Sequence, residues 1–262
     1  MKKAILLAFL LLITTSIFAQ EDATIKEIHN DRNKEFRHII KLIKEDKVNE
    51  LSKLVMYPLK RQNPLPNIAN SKEFIAYYPI VFDEEFKKKL NLYNDSDVFE
   101  HDGMYGLVGG PFAGDIWMDD DGKIGGININ SKKEIALRKQ LTKSIQSKMH
   151  PSVNYWEDNL IVGKSQNLLI RVDYSEKYGI RYVSWSKGRL TSEKPDLILY
   201  HGKDEAQGTM GGWTYTFKNG DWTYIVDDVQ MCADDNPSDC GLFLRLLYKG
   251  NAKSTVRLKE IK

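Results

Sequence analysis

Along residues 24–54, apolar side chains recur at three- and four-residue steps: Ile28, Phe36, Ile39, Ile40 and Ile43, then Val48, Leu51 and Leu54. That spacing predicts a helix, with a break near Asp46. Val55-Met56-Tyr57-Pro58-Leu59 reads as a short strand that Pro58 confines to an edge or an end. Pro64 and Pro66 mark a loop. Behind Ser71, an N-cap residue type, the set Phe74, Ile75, Tyr78, Val81, Phe82, Phe86 and Leu90 predicts a helix to about Leu92 that Pro79 kinks or divides. Strand-like runs follow at 104–108, 113–118 and 123–129, the last two joined through a turn at Asp121-Gly122. Helical spacing returns at 131–150, where Leu137, Leu141, Ile145 and Met149 share a face. This stretch is basic, but its apolar stripe is narrow and lacks aromatic anchors, so it reads as a connector helix rather than a membrane-surface one.

From about Val153 the period changes to two. Strand candidates are 168–174, 180–186, 197–200, 205–209, the two arms around Asn219-Gly220, 242–248 and 255–258. Their spacing suits an antiparallel sandwich or barrel. Asn219-Gly220 is the strongest hairpin signal in the chain. A two-residue turn there pairs Phe217 with Trp222, Tyr215 with Tyr224 and Trp213 with Val226, and collects all six on one face. Two readings of that face follow. It is the core of a β-domain, as contiguous aromatic faces ordinarily are. Alternatively it is an exposed platform that stacks on sugar rings, with Trp213, Tyr215, Trp222 and Tyr224 as its binding residues. Burial is the favoured reading. Gly208, Gly211 and Gly212 before the hairpin suggest a bend or bulge.

Charge and compartment narrow the function. Lys2 and Lys3 precede an apolar run from Ala4 to about Ile13 and a small residue at Ala19. This is the pattern of a cleaved secretory signal over 1–19, too short to span a bilayer, with no cysteine placed for lipidation. The chain carries 38 basic against 36 acidic residues, and two of the basic ones lie in that segment. The remainder is neutral, which removes any electrostatic case for nucleic acid. No later segment is long enough to cross a membrane. The expected location is secreted or periplasmic, where Cys232 and Cys240 should form a disulfide.

The chemistry is sparse. The Asp119-Asp120-Asp121 triplet lacks the alternate ligands and downstream Glu of a calcium loop and reads as a solvated turn. His101 with Asp102, and His201 with Asp204 and Glu205, are the acid–base candidates, each read as solvated loop or turn residues. No nucleophile elbow, zinc helix, Walker loop or dinucleotide fingerprint occurs. The element order, with LVMYPLK, EFIAYYPIVFDEEFKKKL, GDIWM and KIGGINI, resembles the NTF2-like (cystatin-like) α+β superfamily over roughly 24–130. That resemblance implies a sheet curled around a helix into a conical pocket, and isomerase or dehydratase activity in several members, but no motif here places such a base. YGIRYVSWSKG, KPDLILYHG and GGWTYTFKNGDWTY resemble uncharacterised secreted bacterial β-domains. The expected architecture is therefore α+β. An NTF2-like domain spans 20–130, a connector helix 131–150, and a β-sandwich or barrel 151–262. The expected function is non-catalytic binding of a small molecule, a glycan or an envelope protein, with no cofactor or metal. The alternative is an extracytoplasmic enzyme, either isomerase/lyase-like in the first domain or a hydrolase.

Overall fold

The computed structural model describes residues 31–101, 104–107, 115–207, 212–229 and 239–262. The chain divides into two compact units, one of Met1–Lys60 with Asn67–Glu134, the other of Arg61–Pro66 with Ile135–Lys262.

In the first unit, helix α1 (31–44) buries Phe36, Ile39, Leu42 and Ile43 on one face. It ends where Asp46 takes φ 52°, a left-handed value that Asp tolerates better than most residues. A single turn, α2 (Val48–Leu51), follows. Helix α3 (Ser71–Val81) is capped by Asn70, whose side chain accepts from Glu73 N at 3.0 Å, while the Glu73 carboxylate accepts from Ala69 N at 2.8 Å. The cap thus lies one residue before Ser71. Pro79 sits inside α3 without ending it. The division falls instead at Phe82 and Asp83, where the Asp83 carboxylate accepts from Phe86 N at 2.9 Å and starts α4 (Glu84–Lys89). Strands β1 (Val98–His101), β2 (Met104–Leu107), β3 (Ile116–Met118) and β4 (Ile124–Ile127) form one antiparallel sheet in chain order. The expected strand at Val55–Leu59 reduces to two isolated bridges, Val55 with Ile124 and Leu59 with Ile68. Tyr105, Leu107, Ile116, Met118 and Ile124 pack into one core with Phe36, Ile39, Phe74 and Phe82.

After α5 (Lys132–Gln146), the second unit closes an eight-stranded antiparallel barrel. Its strands are β5 (Asp158–Lys164), β6 (Leu168–Ser175), β7 (Gly179–Ser186), β8 (Leu197–Ala206), β9 (Gly212–Asn219), β10 (Trp222–Val229), β11 (Gly241–Tyr248) and β12 (Asn251–Glu260). Each pairs with the next, and β12 returns to β5 at Lys259–Lys164 and Glu260–Gly163. Inward residues Ile170, Val172, Tyr182, Tyr215, Phe217, Val226 and Leu244 make the core. A second cluster lies on the outer wall, where Met149, Val153 and Trp156 cover Val183 and Trp185.

These observations correct the expected fold class. The chain is mostly β, an eight-stranded closed barrel plus a four-stranded sheet, not an NTF2-like α+β domain followed by a sandwich. The side-chain cap at Asp83, rather than Pro79, divides the helix expected from Ser71 to about Leu92 into segments of 11 and 6 residues. A barrel rather than a sandwich results because the strands expected at 197–200 and 205–209 are one strand. β8 pairs with β7 through Gly202 and with β9 from Lys203 onward, turning the corner at His201, φ 56°.

The hairpin register also differs by a step. The turn residues are Gly220 and Asp221, so Asn219 faces Trp222, Phe217 faces Tyr224, Tyr215 faces Val226 and Trp213 faces Asp228. Gly220, φ 58°, takes the first central position, where a type II′ turn wants glycine. The shift moves each partner by two residues, so the aromatic side chains keep their common face.

Candidate functional site

Of the four aromatics expected to bind, the structure turns two inward. Tyr215 is buried, and burial pushes its hydroxyl up to about 12. Tyr224 is half-buried, its ring 5.6 Å from that of core residue Tyr182. Trp213 and Trp222 reach the surface, 43% and 38% exposed, at opposite ends of the hairpin. Trp222 packs on Tyr248 with ring centroids 5.1 Å apart. The four do not form one platform. Phe217 fills the interior beside them and lies where a side chain at Gly202 would stand, and Leu242 does the same at Gly163. An eight-stranded barrel is just wide enough for such filling.

The outer wall carries a different aromatic surface. The β6–β7 turn is set by Ser175, whose carbonyl accepts from Tyr178 N at 3.2 Å, and by Gly179 at φ 62°. It presents Tyr178 between Tyr155, on the segment before β5, and Tyr200, on β8. Ring centroids are 6.5 Å apart for Tyr155–Tyr178 and 5.4 Å for Tyr178–Tyr200. Tyr155 is 50% exposed and Tyr200 43%. Polar groups border the rings. Tyr155 donates its hydroxyl to Glu157 at 2.9 Å, the other Glu157 oxygen accepts from Glu176 N at 3.2 Å, and Lys177 Nζ lies 4.8 Å from the Tyr178 ring centre. His201 donates its backbone N–H to the Tyr178 carbonyl at 3.4 Å. That places His201 at the edge of the tyrosines.

Beneath the rings lies a buried charge cluster. Arg171 and Asp173 are alternate residues of β6, and Arg181 stands directly opposite Asp173 on β7. Arg181 grips the carboxylate with both arms of its fork, Nε to Oδ1 at 2.9 Å and Nη2 to Oδ2 at 3.1 Å. The same Nη2 donates to the carbonyls of Val153 at 3.1 Å and Tyr155 at 3.0 Å. Arg171 Nε approaches Asp173 at 3.3 Å, and its guanidinium lies 4.3 Å from the Trp156 ring centre. Arg171 Nε, Arg171 Nη2 and Arg181 Nη1 make no hydrogen bond among the described residues, although Arg171 Nε stands within ion-pair range of Asp173. They belong to guanidinium groups whose cations face the electron-rich Trp156 and Tyr178 rings, the latter at 5.3 Å. Burial draws Arg171 down to about 10 and outweighs both arginines in raising Asp173 above its ordinary value.

In the first unit, Lys34, Glu35, His38 and Asp121 ring a groove of about 370 Å³ floored by Ile39 and Leu54. Glu35 is already paired with Arg32 at 2.7 Å. The Asp119 carboxylate accepts from Asp121 N at 3.0 Å and Lys123 N at 2.8 Å, so it builds the turn. Among the described residues, no three His, Cys, Asp or Glu side chains are arranged to hold a metal ion. Asp102 and Cys232 lie outside the described residues, so the His101–Asp102 pair and the Cys232–Cys240 bridge remain readings of the sequence.

Sequence reasoning missed the tyrosine wall because its rings do not alternate along one hairpin. They stand in NYW, SEKYG and YHG, each beside a turn or bend, and only the fold brings them together. The usable signal was aromatic residues at turn positions, where a buried role is hard to arrange. Compared with known proteins, the chain matches no family model, no curated protein and no solved structure.

Proposed function

We propose that the chain is an extracytoplasmic, non-catalytic binding protein that holds a neutral saccharide against the wall formed by Tyr155, Tyr178 and Tyr200. The observation that carries this reading is a group of three neighbouring tyrosine rings, two of them exposed, on the outer face of the barrel and bordered by Glu157, Lys177 and His201. Apolar ring faces beside hydrogen-bonding groups suit the alternating C–H and O–H surfaces of a sugar. Formal charges in and under the wall cancel, with Arg171, Lys177 and Arg181 against Glu157, Asp173 and Glu176. A neutral ligand fits that balance, and its binding should change little with salt. Filling of the barrel by Phe217 and Leu242 supports an outer rather than an inner site.

The test is calorimetric titration with cello-, chito-, malto- and laminari-oligosaccharides. Tyr155→Ala and Tyr200→Ala should each weaken binding of the accepted sugar by about tenfold or more, equivalent to about 1.4 kcal/mol. Both residues are about half exposed, so their urea midpoints should move little. If Trp222→Ala abolishes binding and the tyrosine variants do not, the site is the hairpin instead. Failure of every sugar to bind overturns the saccharide reading.

A further inference from the structure

We infer that Arg181 is a positioning residue for the tyrosine wall, a role that rests on the reading of that wall as a contact surface. The 150–157 segment is tied at its far end, where Glu157 donates its N–H to the Tyr174 carbonyl of β6 at 2.8 Å and Gln146 Nε2 donates to the Trp156 carbonyl at 2.7 Å, so the stretch up to Tyr155 depends on other contacts. One nitrogen, Arg181 Nη2, supplies two of them by donating to the Val153 and Tyr155 carbonyls at 3.1 and 3.0 Å. The same guanidinium lies 5.3 Å from the Tyr178 ring centre, so a single buried group touches two of the three wall residues. Asp173 fixes the orientation of the fork through both of its oxygens. The neighbouring Arg171 presses against Trp156, the residue next to Tyr155, at 4.3 Å.

Stability alone gives little reason for this arrangement. The cluster buries two cations against one carboxylate, and Arg171 and Arg181 are 4% and 1% exposed. Buried ion pairs are frequently no more stabilising than apolar residues of the same volume, and an excess charge makes the balance worse. What an apolar residue cannot do is bond two backbone carbonyls and a carboxylate at once, as the guanidinium does. Removing Arg181 leaves the Arg171 cation, 3.3 Å away, as the charge partner of Asp173.

Arg181→Lys separates positioning from simple support. Lysine keeps the charge but, as a single ammonium, cannot span the carboxylate and both carbonyls at once. Hydrogen exchange followed residue by residue should quicken by about tenfold or more at 153–157, while amides at Ile170, Val172 and Val226 stay protected. Affinity for the accepted oligosaccharide should fall by a factor no larger than Tyr155→Ala produces, and Arg181→Met should lower it at least as far as Arg181→Lys. Unchanged exchange at 153–157 overturns the inference, as does a loss of protection spread evenly through the barrel. Should Arg181→Lys fail to fold, Asp173→Asn loosens the same fork and carries the same comparison. If the unmodified protein binds no oligosaccharide, the saccharide reading falls while the exchange comparison still decides the role of Arg181.

Discussion

A methyl group added at position 202 would lie 2.2 Å from Phe217 Cε1, so the smallest possible change there meets the barrel core directly. Gly202→Ala should cost about 1–3 kcal/mol, the usual range for overpacking. Phe217→Ala removes the ring itself and should cost about 3–5 kcal/mol. Trp222, 38% exposed, should cost clearly less than Phe217 when changed to Ala, although both share a face of the hairpin. Urea unfolding of the three variants checks the order, and equal midpoints for Trp222→Ala and Phe217→Ala would contradict it. At this scale the sequence was half legible. Period two placed Tyr215, Phe217, Tyr224 and Val226 on the face that became the core. It could not separate them from Trp213 and Trp222, because alternation reports the face of a strand and not its distance from the barrel's rim. Arg171, Asp173 and Arg181 were less legible still. Charged residues at outward positions read as solvated, and only the covering segment with Val153 and Trp156 buries them.

Elements owe their limits here to short polar side chains. Asn70 and Asp83 start α3 and α4, and Asp46 stands between α1 and α2 with its carboxylate 2.6 Å from Lys87 Nζ and 3.0 Å from the Tyr78 hydroxyl. The Lys87 ammonium chiefly holds Asp46 below its ordinary value, aided by Tyr78 and opposed by burial. The unfolded chain therefore takes up this proton at a higher pH than the folded one. Stability from the contact is complete above the unfolded carboxylate value of about 4 and is lost as pH falls through the lower folded value. Asp46→Asn should lower stability at neutral pH and flatten the acid limb in that window, read from urea midpoints against pH. Asn also accepts the φ of 52°, so backbone strain does not confuse the result. The break near Asp46 and the strand pairs 116–118 with 124–127 were legible from periodicity and an Asp-Gly turn. β5 was not, because a register irregularity between Asn159 and Ile161 interrupts its alternation. The hairpin turn moved one residue from Asn219-Gly220 to Gly220-Asp221, so that the glycine takes the first central position instead of the second.

For the whole molecule, composition alone could not distinguish a sandwich from a barrel, since both place apolar residues on alternate positions. The outcome depended on one strand long enough to join two sheets. Apolar residues line the barrel interior while Arg171, Asp173, Arg181 and Asp227 point outward, the reverse of the pattern in a membrane-spanning barrel. No helix among the described residues is long and apolar enough to cross a membrane. Export and cleavage near Ala19 should leave a mature protein beginning near Gln20. Mass spectrometry of the secreted or periplasmic fraction checks this, and intact Met1 in a cytoplasmic fraction would count against it. The closing seam has a consequence for the order of assembly. β12 meets β5 through Lys259, Glu260 and Ile261, whose N–H reaches the Val162 carbonyl at 2.9 Å. The first strand of the barrel thus waits for the last, and the ring cannot close before residues 259–261 have reached β5. Slow closure is the rule for such long-range pairing. Until β12 folds back onto β5, the barrel stands as an open sheet whose two edge strands carry unpaired backbone groups.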